Sequence, residues 1–187
     1  DQGYAWAQCN LAICYINGDG VEQDMNKAIE YLTLGADQGN AHAQCNLAIC
    51  YKDGNGVEQD MNKAIELYTL SADQGYAHAQ CNLAICYEDG DGVEQDMNKA
   101  IELYTLSADQ GNAYAQFSLG LCYQDGDGVE QNMNKAIEYL TLSADQGNAN
   151  AQYNLAICYE DGDGVEQDMN KAIELYTLSA DQGHAEA

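Results

Sequence analysis

The chain contains no proline and no arginine, and its only long-chain cations are six lysines. Its 187 residues also include just one tryptophan and one phenylalanine. The lack of proline favours uninterrupted helices, because proline removes a backbone donor and clashes inside a helix. No apolar run reaches the roughly 18 residues that a membrane-spanning helix needs, so the sequence predicts no such span.

Negative charge dominates what remains, with a net charge of −25. Without a basic patch to neutralise phosphates, the sequence argues against binding to nucleic acid and to an anionic membrane surface. Hydrophobic residues still make up 46% of the chain, which is enough for a packed core and argues against disorder. The charge either keeps the surface soluble or favours a basic partner.

The tripeptide Asp-Gln-Gly recurs every 36 residues without insertion or deletion. Its copies begin at Asp1, Asp37, Asp73, Asp109, Asp145 and Asp181. A fixed period of this size is typical of a solenoid built from one supersecondary unit. We therefore expect a single repeat array over residues 1–187, with repeats at 1–36, 37–72, 73–108, 109–144 and 145–180 and a partial sixth at 181–187.

Each repeat is expected to form two helices joined by a tight turn. In the second repeat, Ala43, Leu47 and Tyr51 share one face of a first helix, helix A. The glycines of the segment 53–56 then end this helix, and Asp60 is a candidate N-cap for helix B. Helix B is predicted from Met61 to about Ala72. The sequence therefore predicts an all-α fold.

The pattern over Ala41–Ala64 reads Ala-x-Ala-Gln-x-x-Leu-Ala-x-x-Tyr-x-x-Gly-x-Gly-Val-x-x-Asp-x-x-Lys-Ala. It resembles the Sel1-like repeat, a relative of the tetratricopeptide repeat, and it recurs along the whole chain. The resemblance implies a right-handed α/α superhelix in which the A helices line the concave side. It also implies a scaffold that binds proteins without catalysis.

Helix A varies between repeats at two positions that share one face, the sixth and the ninth. The sixth is occupied by Trp6, His42, His78, Tyr114 and Asn150, and the ninth by Cys9, Cys45, Cys81, Phe117 and Tyr153. Aromatic side chains are frequent anchors of binding surfaces, so these ten residues are the candidate partner-binding site on the concave face. Neutral drift between duplicated repeats is the alternative explanation.

Eight cysteines raise the question of disulfides. Cys9 and Cys14, like the equivalent pairs in the next two repeats, point about 140° apart on one helix, which is too far apart for a bridge. In cysteine-rich secreted members of the family a helix A cysteine bonds to helix B, but here Ala36, Ala72 and their equivalents stand at the matching positions. We expect reduced, buried thiols, which favours the cytoplasm without excluding an extracellular fibre.

Metal and catalytic motifs are weak. His42–Cys45 and His78–Cys81 form two His-x-x-Cys pairs, but equivalent positions on stacked helices lie too far apart for one zinc ion. The acidic turn from Asp89 has Glu94 and Ala100 where an EF-hand requires glycine and glutamate. No nucleophile or phosphate-binding motif occurs. The sequence predicts no enzyme, no cofactor and no dedicated metal site.

Two functions are compatible with these features. The first is a protein-interaction scaffold that binds a protein or peptide, one with basic and apolar residues, on the concave surface of the A helices. The second is a structural repeat protein, natural or consensus-designed, that stacks head-to-tail into a filament. A metal-binding module is a third and weaker interpretation.

Overall fold

The computed structural model describes residues 2–182, and their side chains from Tyr4 onward. Ten α-helices and no strands occupy this range. Their bounds are α1 Gln2–Asn17, α2 Met25–Asp37, α3 Ala41–Asp53, α4 Met61–Ala72, α5 Ala77–Asp89, α6 Met97–Ala108, α7 Ala113–Asp125, α8 Met133–Asp145, α9 Ala149–Asp161 and α10 Met169–Asp181. Odd-numbered helices are the A helices and even-numbered ones the B helices, so the predicted helix–turn–helix repeat is confirmed.

The helices fall into two compact units. Unit 1 is residues 1–96 and holds α1 to α5, and unit 2 is residues 97–187 and holds α6 to α10. Within each unit every helix packs against the next one in sequence, and α1 also contacts α3. The single continuous array and its superhelical hand stay predictions. Gly183 and His184, in the partial sixth repeat, lie outside the described residues.

The B helices begin at side-chain caps that the sequence identifies. Asp60 has extended backbone angles, and its Oδ1 accepts a hydrogen bond from the backbone N of Lys63 at 3.1 Å. Asn132 caps α8 in the same way through Lys135 at 3.1 Å. The predicted N-cap and its asparagine replacement are both confirmed, since either oxygen satisfies a donor that the first helical turn leaves open.

The A–B turn carries a contact between neighbouring repeats. Gly54 ends α3 in the left-handed conformation, with φ of 72°, and Gly56 adopts φ of 73°. A Cβ atom on Gly56 would lie only 3.0 Å from the Cβ of Met25 and 3.2 Å from Cγ1 of Ile29, both on α2. Position 56 therefore requires glycine for two reasons: its positive φ and the close approach of the turn to the preceding helix B.

This turn-on-helix contact recurs. In unit 2, Gly164 has φ of 74°, and its Cβ would lie 3.0 Å from the Cβ of Met133 and 3.2 Å from Cγ1 of Ile137. Gly20, in the first repeat, has the same backbone conformation but no atom within 4 Å of such a Cβ. The second glycine of the turn thus sets how closely successive repeats approach.

The core of each unit is built from small and branched side chains. In unit 1, Leu32, Leu47 and Cys50 are buried together, and Val57 closes the turn against them. In unit 2 the corresponding cluster contains Leu140, Leu155 and Cys158, with Val165 against it. The seam predicted for helix B is also buried, at Ala64, Tyr68 and Ala72.

The apolar side chains of the helices pack against those of neighbouring helices. In residues 2–182, none of the helices combines the length and the apolar character needed to cross a membrane.

Candidate functional site

The varying positions of helix A lie in its first turns, next to the turn that connects it to the preceding helix B. In unit 1 the structure places Trp6 on α1, His42 on α3 and His78 on α5 at the same level of successive A helices. Trp6 is 45% exposed, His42 is half-buried and His78 is exposed. The sixth positions of unit 1 therefore do form one surface.

A fourth ring joins this surface and makes it continuous. Tyr76 lies between the two histidines: the ring centroids of Trp6 and His42 are 4.3 Å apart, those of His42 and Tyr76 are 4.1 Å apart, and those of Tyr76 and His78 are 5.2 Å apart. We call these four side chains, Trp6, His42, Tyr76 and His78, the aromatic row. Offset and tilted contacts between aromatic rings are favourable.

Tyr76 is absent from the sequence-based site, although the sequence carried a signal for it. It stands at the N-cap of α5, where the equivalent residues of α3, α7 and α9 are asparagines. Asn40 caps α3 by accepting from the backbone N of Ala43 at 2.8 Å, whereas Tyr76 makes no side-chain capping bond. A tyrosine in place of a capping asparagine is a local loss of helix stability.

A cleft of about 370 Å³ opens beside the row. Trp6, His42 and Tyr76 line it together with the turns at residues 38–41 and 74–75. Burial, and to a lesser degree the charge of His78, lowers the pKa of His42, and burial raises the pKa of the Tyr76 hydroxyl. Both side chains are therefore neutral near pH 7, and the cleft is aromatic and uncharged.

The ninth position differs from the predicted surface in unit 1. Cys9, Cys45 and Cys81 are buried, with exposures of 1%, 2% and 5%. Burial raises the pKa of the thiols of Cys45 and Cys81 to about 12, so both remain protonated and poorly reactive. These three cysteines lie beneath the row and are not available to a partner, because the ninth position packs against the neighbouring helix A, as Cys9 of α1 does against Asn46 of α3.

In unit 2 the rings at the equivalent positions make contacts within their own repeats. Tyr114 is 49% exposed and meets Phe117 of the same helix edge-on, with centroids 6.3 Å apart. Asn150 is exposed, and Tyr153 packs instead against Tyr176 of α10 at 5.7 Å. Each aromatic pair of unit 2 is thus local to its own repeat.

Unit 2 also contains a strong tyrosine–carboxylate contact. The Tyr176 hydroxyl donates to Oε2 of Glu160 at 2.7 Å. Partial burial and this hydrogen bond raise the pKa of Tyr176 to about 12.

The lysines lie at the opposite end of the A helices. Lys27 Nζ lies 5.0 Å from the centre of the Tyr15 ring, and Lys63 Nζ lies 4.9 Å from that of Tyr51. The same arrangement recurs in unit 2 at Tyr123 and Tyr159. Sequence reasoning missed these cation–π pairs, although a tyrosine and a lysine twelve residues later stand in every repeat.

The cysteines and the acidic turns show no metal-binding arrangement in the described part of the chain. All eight cysteines are free thiols. Within residues 2–182, no group of three or more histidine, cysteine or acidic side chains is placed to hold a metal ion.

Comparison with known families decides the identity of the repeat. The Sel1 repeat pattern matches five times, over residues 7–40, 41–76, 77–112, 113–148 and 149–184. The chain belongs to the Sel1 repeat family. Sel1 repeat proteins are commonly protein-interaction scaffolds and are generally non-catalytic. No curated protein matches the chain by sequence.

Solved structures agree with this assignment. A Sel1 repeat protein from Oxalobacter formigenes is 31% identical, with a TM-score of 0.91 over 96% of this chain and 74% of its own. A protective antigen of uropathogenic Escherichia coli strains with an SLR fold is 37% identical, with a TM-score of 0.87 over 98% of this chain. This chain spans 39% of that antigen's length. The predicted all-α helical solenoid repeat is confirmed.

Proposed function

We propose that this Sel1 repeat chain is a non-catalytic adaptor that binds a protein or peptide through the first turns of its A helices. The binding surface of unit 1 is the aromatic row, and that of unit 2 is centred on Tyr114. Sel1 repeat proteins commonly act through protein interactions, and this face is where the repeats of the chain differ most in chemistry.

The observation that carries the proposal is the exchange at the start of α5. Asparagine is the capping residue at the start of α3, α7 and α9, and substituting a good N-cap costs about 1 kcal/mol. Tyr76 gives up that bond and instead joins His42 to His78 in one row. A residue that weakens its own helix while extending an exposed aromatic surface supports a role in binding.

A displayed library of random peptides, selected against the purified chain, tests the proposal. Selected peptides are expected to lose about tenfold or more in affinity for Trp6→Ala or Tyr114→Ala, because aromatic anchors contribute much of an interface's energy. Leu34→Ala is the matched control, since Leu34 is 42% exposed on helix B and does not line the cleft beside the row. Peptides that lose affinity for the Leu34 variant and keep it for the other two would refute the assignment.

Head-to-tail self-association is the alternative function, and one observation supports it. The junction between repeats has the same form in both units, with Gly56 on Met25 and Ile29 in unit 1 and Gly164 on Met133 and Ile137 in unit 2. A second copy that packs its A–B turn on a helix B in this way would extend the stack. Light scattering over a wide concentration range tests this: rods that lengthen with concentration support stacking, and a constant monomer mass argues against it.

A further inference from the structure

We propose that the cleft beside the aromatic row binds the guanidinium group of an arginine presented by an extended peptide segment. This inference rests on the proposed function and specifies the chemistry of the partner at unit 1. It concerns Trp6, His42 and Tyr76, which line the cleft together.

The geometry of the rings suits a flat cation. Trp6 and Tyr76 flank His42, with centroid separations of 4.3 and 4.1 Å, so three rings are grouped at one opening. A guanidinium is planar, is less strongly hydrated than an ammonium and stacks on aromatic faces, tryptophan being the most favourable. The volume of about 370 Å³ holds such a side chain together with part of its peptide backbone.

The distribution of charge favours a cation over a neutral or acidic group. The residues that line the cleft include no lysine and no carboxylate side chain. Lys52 lies ten residues after His42 on α3, about 15 Å along the helix axis, and the ring of Tyr15 holds Lys27 at the far end of α1. Asp37 and Asp73, both exposed, precede the two turns that line the cleft. An incoming cation therefore meets aromatic rings and acidic surroundings without a competing protein cation.

The cleft contains its own reporter. Trp6 is the only tryptophan of the chain, so its fluorescence monitors the cleft directly. We would titrate the protein with acetyl-Gly-Ala-Arg-Ala-Gly-amide and with the same peptide containing citrulline, which keeps the shape of arginine but lacks its charge. The arginine peptide is expected to bind about tenfold more tightly, since a cation–π contact to a partly desolvated ring contributes about that factor.

One pair of variants distinguishes binding of the peptide in the cleft from nonspecific attraction to the acidic surface of the protein. Tyr76→Asn removes one of the two rings that flank His42 and restores the cap found in α3, so it is expected to fold at least as well as the wild type. Tyr4→Asn makes the same substitution at the same repeat position, at a side chain that is 74% exposed and does not line the cleft. Both variants keep the net charge.

The expected result is a loss of about fivefold or more in arginine-peptide affinity for Tyr76→Asn and less than a twofold change for Tyr4→Asn. Equal binding of the arginine and citrulline peptides, both weakened by Tyr76→Asn, would overturn the guanidinium assignment and leave peptide binding at the row intact. Equal losses in the two variants, or no response of Trp6 to either peptide, would also overturn it. The library selection tests the adaptor function independently of these outcomes.

Discussion

Units 1 and 2 are built on the same 36-residue pattern, yet they differ at the positions that this pattern leaves variable. Unit 1 gives up a capping asparagine for Tyr76 and gains a row of four rings across three A helices. Unit 2 keeps the caps at Asn112 and Asn148, and its rings form pairs within single repeats. The comparison teaches that one side chain at the start of a helix can extend a surface shared by two repeats to a third.

The interior of the fourth repeat, in unit 2, differs from that of the second, in unit 1. In the second repeat, Ala48 and Tyr68 are both buried. At the equivalent positions the fourth repeat has Gly120 and Leu140, and a Cβ on Gly120 would lie 2.8 Å from Cγ of Leu140. Leu140 thus fills the space of the missing methyl group, whereas in the first repeat Ala12 and Leu32 are buried together, so the fit depends on how the leucine is oriented.

The largest expected effect is a loss of stability on substituting the turn glycine that both units share. Gly56→Ala in unit 1 and Gly164→Ala in unit 2 should each lower the free energy of unfolding by about 3 kcal/mol, because alanine disfavours a positive φ and its Cβ would crowd the preceding helix B. Gly20→Ala is the control: the backbone angle is the same but the space is open, so a loss of about 1 kcal/mol is expected. Urea unfolding followed by circular dichroism measures all three, and a loss at Gly20 as large as the others would refute the packing explanation.

The next effect tests the interior of unit 2. Gly120→Ala imports the alanine of unit 1 and should cost about 2 kcal/mol, since the new methyl group overlaps Leu140. Adding Leu140→Ala to this variant should cost less than the sum of the two single changes, because the overlap is then relieved. Thermal unfolding of the four members of this cycle provides the measurement. Strictly additive losses would show that the two positions are independent.

Exchanging the N-cap residues between the units should change the free energy of unfolding by about 1 kcal/mol, in opposite directions for the two exchanges. Asn112→Tyr removes the hydrogen bond from the backbone N of Ala115 to Oδ1 of Asn112, which is 3.0 Å long, and should destabilise unit 2. Tyr76→Asn should stabilise unit 1 by a similar amount, less the lost contacts with the two histidines. Chemical denaturation of both variants measures the difference. If Tyr76→Asn proves strongly destabilising, the row itself stabilises the fold and the argument for a stability cost at α5 fails.

The smallest effect is a dependence on pH confined to unit 1. Because burial lowers the pKa of His42 from its usual value near 6.5, the unfolded chain takes up this proton before the folded one does. The stability of unit 1 should therefore fall as the pH drops through that value, and the loss is complete below the folded pKa. The charge of His78 acts on His42 in the same direction as burial and also lowers its pKa.

Trp6 fluorescence reports the unfolding of unit 1 alone, because unit 2 has no tryptophan. The urea midpoint should decrease more between about pH 7.5 and about pH 5.5 for the wild type than for His42→Asn, which removes the titrating group. Equal decreases in the two proteins would exclude His42 as the cause.

The sequence was sufficient for the fold and insufficient for the site. Period, turn glycines and caps are local signals, so the helix from Met61 to Ala72 and the cap at Asp60 could be predicted from the residues alone. Assigning Cys45 to the exposed face failed, because a periodicity of 100° per residue cannot tell solvent from a neighbouring helix A. Tyr76 was missed because it is a loop residue, and only the packing of three helices brings its ring between His42 and His78.

The contact of Gly56 with Met25 and Ile29 also bears on how such a chain changes over generations. Both halves of the contact are encoded within each 36-residue segment, a glycine in the turn and a methionine–isoleucine pair in helix B. Recombination between copies that adds or removes one whole segment rejoins a complementary junction every time. Recombination that is out of register by any other number of residues moves the glycine away from the methionine–isoleucine pair and breaks the contact. The array can therefore change its length during evolution only by whole repeats.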